Sequence, residues 1–349
     1  MEKLLTIVIP AYNMEKYLHR CLDSIIVDSV MDKVQVLIVN DGSKDRTSDI
    51  AHKYEAKYPH YIQVIDKENG NYGSCMNVGL SLAKGKYFRT LDSDDWYDKK
   101  AYENFVEKLS ETDVDMIICE RYVYDEKNNQ TLLEVFPETI THNSDIDIKD
   151  VEWGDKLLMT FHTVNCIVYK TSILKRINMR WSEKVFYSDT EYNYFPLRSV
   201  ETVRFMPYPV YCYFIGREDQ SVSATSVRKN FNSFYIVSKR ILDDFVKYAK
   251  IENPQYKLQK FHLIRILRFL YQSLLIDGYK NITSIKDIEC LVKINEDILK
   301  STSYIDVYRN YYYVHAYRYN KIKYFFIRLD YRLRTNRLIR CFFGKLSNK

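Results

Sequence analysis

No stretch of this chain approaches the roughly 18 uninterrupted apolar residues that a membrane-spanning helix needs, so nothing in it reads as an integral membrane span. The N-terminal "LLTIVIP" is too short for the apolar core of a secretory signal and lacks a small-residue cleavage site. A buried strand is the expectation there. The seven cysteines (21, 75, 119, 166, 212, 290, 341) are odd in number and scattered. None has disulfide-framework or zinc-ligand spacing, which points to a reducing cytoplasm. Glycine fingerprints for phosphate are missing too. The first strand runs into "PAYN" rather than G-x-G-x-x-G, and G-x-x-x-x-G-K-[ST] does not occur. That disfavours a dinucleotide dehydrogenase and a P-loop nucleotidase. No signature of a nucleic-acid-binding fold is found, so no nucleic-acid partner is expected.

What is present is unevenly distributed. The net charge of +6 over 349 residues conceals a division. Residues 1–225 hold 27 Lys+Arg against 36 Asp+Glu, a net of −9; residues 226–349 hold 25 against 10, a net of +15. Such asymmetry implies a neutral or acidic functional domain joined to a basic segment that meets an anionic surface. Tyrosine, at 32 residues, thickens toward the C-terminus.

The first hundred residues alternate strand and helix. "LTIVIP", "VQVLIV", "YIQVID" and "KYFRTL" read as strands. Between them, Asn13 can cap a helix with apolar positions Tyr17, Leu18, Cys21, Leu22, Ile25 and Ile26. Thr47–Tyr58 and "GSCMNVGLSLAK" read as two more helices. Repeated β-α units imply a mostly parallel, Rossmann-like sheet with helices on both faces. Ligands of such sheets lie beyond the carboxyl ends of the strands. The loops there hold residues 10–13, 40–43, 69–74 and 92–95, which makes one polar site out of four loops.

The last loop, "TLDSDDW", crowds Asp92, Asp94 and Asp95 into four positions. Like charges this close need a cation. Hard oxygen ligands suit Mg²⁺ or Mn²⁺, which leave positions open for phosphate oxygens. The expectation is therefore a metal held by the aspartates and a diphosphate held by the metal.

With these motifs in order, "TIVIPAYNMEKYLHRCLDSI", "VLIVNDGSKDRT" and "KENGNYGSCMNVGLSLAKGKYFRTLDSDDW", the chain resembles glycosyltransferase family 2, inverting enzymes of the GT-A fold. The resemblance is close over residues 1–110 and loose to 225. It implies a catalytic domain at 1–225, with a nucleotide-sugar half at 1–110 and an acceptor half at 111–225, followed by a helical region at 226–349. It also implies a nucleotide-sugar donor, a UDP-sugar, and a cell-surface glycan or lipid-linked acceptor of the bacterial polysaccharide type. Pro10, Ala11, Tyr12 and Asn13 would wall the nucleotide pocket, and Asp41 would accept a hydrogen bond from uracil. Asn69, Gly73 and Asn77 would lie near base and ribose, with Asp92 and Ser93 on the donor. Met76 stands where the family has arginine. Asp92 and Asp94 match the metal motif, while Asp95 would either cap the next segment or touch the donor sugar.

Direct displacement at an anomeric carbon needs a base for the acceptor hydroxyl. The resemblance assigns it to Asp189 in "VFYSDTEYNYFPL", where Ser188 replaces the usual Glu, with Glu191 as the other candidate. A plain N-cap on a helix over 190–197 is the competing reading of Asp189. "GREDQSVS" offers Arg217, Gln220 and Ser221 to the diphosphate or acceptor. His162, Trp153 and Trp181 are expected to pack rather than to bind. Residues 321–345 interleave eight Lys or Arg with aromatic and aliphatic residues against one acid, Asp330. An anionic membrane surface at the cytoplasmic face or a partner subunit in an oligomer would fit that segment. Two alternatives to transfer are a degenerate, glycan-binding member and a sugar-phosphate nucleotidyltransferase, though "PAYN" lacks the latter's basic glycine loop.

Overall fold

The structure, a computed structural model, describes residues 3–154, 156–216 and 230–275. Arg217, Gln220, Ser221 and the basic segment 321–345 lie outside the described residues. One ten-stranded mixed sheet organises the chain. Its first half is the expected β-α repeat: β1 (Leu5–Ala11), α1 (Leu18–Ile25), β2 (Val34–Asn40), α2 (Thr47–Lys57), β3 (Ile62–Asp66), α3 (Asn71–Leu82) and β4 (Tyr87–Thr90). There follow β5 (Trp96–Tyr97), α4 (Lys99–Lys108), β6 (Met116–Asp125), β7 (Gln130–Glu134), β8 (Asp145–Asp147), β9 (Ile167–Lys170), α5 (Thr171–Arg176), α6 (Asp189–Tyr194) and β10 (Thr202–Ile215). The helices α7 (Phe231–Tyr248) and α8 (Tyr256–Leu275) come last.

The strand order is β3-β2-β1-β4-β9-β6-β10-β5, with β7 beside β6 and β8 beside β10. Strands β3, β2, β1 and β4 are mutually parallel, so their carboxyl ends meet at one edge. Beyond β4 the antiparallel β9 intervenes, and β6 then pairs parallel with β10. Alternation along β1 explains why helices cover both faces. Ile7 and Ile9 join a core with Leu18, Cys21 and Leu22 of α1 and Ile50 of α2. Val8 points the other way, toward Gly79 of α3. Helix α1 begins later than the sequence predicts. Tyr17, not Asn13, is its N-cap, because Asn13 turns with φ of 55° and its Oδ1 accepts from the Lys44 amide.

The described residues up to 216 and Lys239–His262 belong to one compact unit, and residues 230–238 and 263–275 to another. Within the first unit, His162 is buried with its Nδ1 2.6 Å from His262 Nε2. Trp153 and Trp181 are 3% and 2% exposed, so all three pack as expected. Among the described residues, no helix is long and apolar enough to cross a membrane.

Gly79 tests the close fit of α3 to the sheet. A Cβ there would lie 2.5 and 2.6 Å from the two methyls of Val8, whose β-branch leaves few rotamers to retreat into. Alanine in a helix recovers about 1 kcal/mol of propensity, whereas overpacking costs about 1–3 kcal/mol. Gly79→Ala is therefore expected to lower the urea midpoint. A midpoint at or above that of the parent would show that propensity outweighs the clash.

Candidate active site

The strand-end loops interlock through backbone groups. The Asp41 amide donates to Ala11 O at 2.9 Å, and the Lys67 amide to Asn40 O at 3.0 Å, which joins the ends of β1, β2 and β3. Asn13 donates from its amide to Ser43 Oγ, and Asn40 Nδ2 donates to Asp66 Oδ1. Asp41 is the hub. Its Oδ1 accepts from Lys67 Nζ at 2.7 Å and from the Gly70 amide at 2.9 Å, while its carbonyl accepts from Asn69 Nδ2. Pro10 and Ala11 close β1, and Tyr12 is exposed at the mouth. Ser93 is buried, as is Met76, which offers no charge to this region.

The "DSDD" turn leaves β4 and is gripped from two sides. Asp95 is buried; its carboxylate accepts from the Tyr211 hydroxyl at 2.7 Å and from the Phe214 amide at 2.8 Å, both on β10. It ties the turn to β10, and the cap of α4 falls to Asp98. The Tyr211 oxygen in turn accepts from the Asp92 amide at 3.1 Å. From α1, Arg20 donates through Nη2 to Asp94 O at 2.7 Å. Its guanidinium lies 3.8 Å from the ring centroid of Trp96 and 4.5 Å from that of Phe214.

Asp92, Asp94 and Asp189 are partly exposed and share one electrostatic neighbourhood. Burial first, then Asp94 and Asp189, pushes the Asp92 carboxyl up to about 8. Burial and Asp92, with Asp189 adding, raise the Tyr72 phenol well above its usual range. The two carboxylates at the end of β4 therefore fit a divalent cation, which would relieve the repulsion raising Asp92. Among the described residues, no three His, Cys, Asp or Glu side chains form a closed ligand set. An open site built on one or two carboxylates is how magnesium-type ions meet phosphates.

Asp189 opens α6. Ser188 is the N-cap and makes no side-chain capping bond. Glu191, two residues on, is fully buried. Its oxygens accept from the Ser182 amide (2.6 Å), Ser182 Oγ (2.7 Å) and Arg240 Nη1 (2.7 Å). Segment 181–184 lies against α3. A Cβ on Gly73 would sit 2.0 Å from Ser182 O, and the Lys184 amide donates to Gly70 O at 2.7 Å. Asn77 brackets Trp181, accepting from its amide and donating to its carbonyl. Gly73 and Asn77 thus hold the segment that leads to Asp189. The sequence reading missed Arg20, Lys67 and Arg240. Lys67 stood beside "ENG" as a visible signal, whereas Arg240 carried none.

This parallel edge with its acidic turn belongs to a sheet of the GT-A type. The description "Glycosyl transferase family 2" matches residues 6–177. The chain is 27% identical over 219 residues to the uncharacterized glycosyltransferase EpsJ of Bacillus subtilis, covering 61% of each. That is less than two thirds of this relative's length. It is 30% identical over 224 residues to the uncharacterized glycosyltransferase MG025 homolog of Mycoplasma pneumoniae, covering 63% of this chain and 70% of that one. In fold it is similar to S. aureus TarS 1–349 crystallised with UDP-GlcNAc, with a TM-score of 0.59 and 17% identity over 90% of this chain and 91% of that one. The chain belongs to glycosyltransferase family 2.

Proposed function

We propose that the chain transfers a sugar from a UDP-sugar to a hydroxyl of a cell-surface glycan or lipid-linked acceptor, inverting the anomeric centre. The observation that carries this is the shared neighbourhood of Asp92, Asp94 and Asp189 beyond the sheet edge. The UDP-GlcNAc bound by a protein of similar fold supports the choice of donor. In this reading Asp41, steadied by Lys67 and the Gly70 amide, receives the uracil N–H. Pro10 to Asn13, Asn69 and Ser93 line the nucleotide. Asp94 and Asp92 would hold Mg²⁺ or Mn²⁺, which would supply charge neutralisation for a departing diphosphate. Asp189 takes the acceptor's proton as the hydroxyl attacks. Glu191 is a poor base because three donors already occupy its oxygens.

Asp94→Asn is expected to abolish Mn²⁺-dependent UDP binding in calorimetry while leaving the melting temperature nearly unchanged, and EDTA should stop turnover. Full turnover in EDTA would overturn the metal assignment.

The base is tested separately. Asp189→Asn should bind UDP almost normally and lose roughly 10²-fold or more in transfer rate. Near-normal transfer by Asp189→Asn, with none by Glu191→Gln, would reassign the base to Glu191.

The basic, aromatic segment 321–345 supports a peripheral seat on anionic lipid. Each cation near such a surface contributes about 1 kcal/mol, and salt should weaken the attraction. Sedimentation with anionic but not zwitterionic vesicles is expected, lost on removal of residues 321–349 while UDP binding persists. If the intact chain ignores anionic vesicles and the truncated one changes oligomeric state, the segment binds a partner subunit instead.

A further inference from the structure

We propose that Arg240 is a positioning residue for the transfer reaction, setting through Glu191 and Ser182 where Asp189 stands against the donor helix α3. This rests on reading Asp189 as the base. Helix α6 has six residues, too few for a helix to hold its own direction. Its orientation must come from what grips it. On one side the Tyr192 hydroxyl donates to Phe88 O at 2.9 Å, on the strand that ends in the acidic turn. On the other side Glu191 is held by Ser182 and Arg240.

Glu191 is 0% exposed, and a buried carboxylate is tolerated only with its charge answered. Arg240 is the cation that answers it. The same Nη1 reaches Ser182 Oγ at 3.3 Å, and the guanidinium lies over the Phe195 ring, 4.6 Å from its centroid. Its position is thus fixed against residues both before and after Asp189. Ser182 passes the constraint to α3, where its carbonyl fills the space that a Gly73 side chain would take. Base and donor helix are thereby locked in one network, Arg240–Glu191–Ser182–Gly73, whose cation comes from α7, beyond the family-matched residues 6–177. Arg240 also keeps a face to solvent: its side chain is 38% exposed and lines a cavity of about 320 Å³ with Arg180, Arg198 and Lys247.

That cavity makes chemical rescue the natural test. In the full chain, Arg240→Ala should lose roughly 10- to 100-fold in kcat, the scale of a misplaced catalytic group, with the affinity for UDP plus Mn²⁺ nearly unchanged. Added guanidinium ion should restore part of kcat. Arg240→Lys should fall between, and Arg198→Ala, which lines the same cavity but pairs with Asp244, should keep kcat near the parent value. If Arg240→Ala does not fold, Arg240→Lys and Ser182→Ala carry the test, each expected to lower kcat more than UDP affinity. A folded Arg240→Ala with parental kcat would overturn the proposal, as would a loss of activity that only follows loss of folded protein and ignores guanidinium. Should Asp189→Asn itself stay active, the base assignment fails. Should it be inactive while Arg240→Ala is normal, only the present inference fails.

Discussion

Three carboxylates at the end of β4 repel one another, and the surrounding structure is arranged around holding them in one short turn. Asp95 is turned away from the site and given two donors on β10, Tyr211 Oη and the Phe214 amide. A buried acid so placed is stable only with good hydrogen bonds, and burial still raises it well above the usual carboxylate range. Arg20 is brought from α1 to the Asp94 carbonyl and kept rigid between the rings of Trp96 and Phe214. Arg89, fully buried, lies over the Tyr211 ring and donates through Nη2 to Asn165 O. Protein cations and phenols therefore manage the outer part of the charge. Asp92 and Asp94 stay partly exposed at the end of β4, and burial, then Asp94 and Asp189, raises the Asp92 carboxyl.

The same edge explains how loops distant in sequence act as one pocket. Parallel pairing of β1, β2 and β3 stacks their carboxyl ends. The amide of each following loop can then reach the carbonyl that ends the neighbouring strand, as Asp41 does to Ala11 and Lys67 to Asn40. Asp41 gains a fixed orientation from this arrangement because both donors to its Oδ1, Lys67 and Gly70, belong to the loop after β3. Shifting any one strand would misplace the others' loops.

Much of this was legible in the sequence because it is local. Apolar runs bounded by polar turns gave the four leading strands to within a residue or two, and the acidic turn announced itself by crowding. The start of α1 was misjudged because asparagine serves equally as a cap and as a left-handed turn. In this chain Lys44 and Ser43 draw Asn13 into the turn. The mixed second half of the sheet was not legible. Whether β9 runs against β4 and β6 depends on pairings between residues 49 to 83 apart, which no short window records. Likewise, nothing near Arg240 in the sequence marks it as the partner of a carboxylate 49 positions earlier.

These two kinds of information fall on different parts of the candidate site. The loops at the strand ends lie where backbone geometry fixes them and short motifs suffice to mark them. The segment that leads to Asp189 has no such frame. Asp189 begins a short helix after a segment, 181–188, that forms no strand or helix of its own and includes Lys184 and Tyr187 at positive φ. Such a segment has little stability beyond the contacts others make with it. Gly73 and Asn77 hold it from α3, and Arg240 from the side of α7. A carboxylate held this way can be repositioned by changes in either flank without disturbing the sheet.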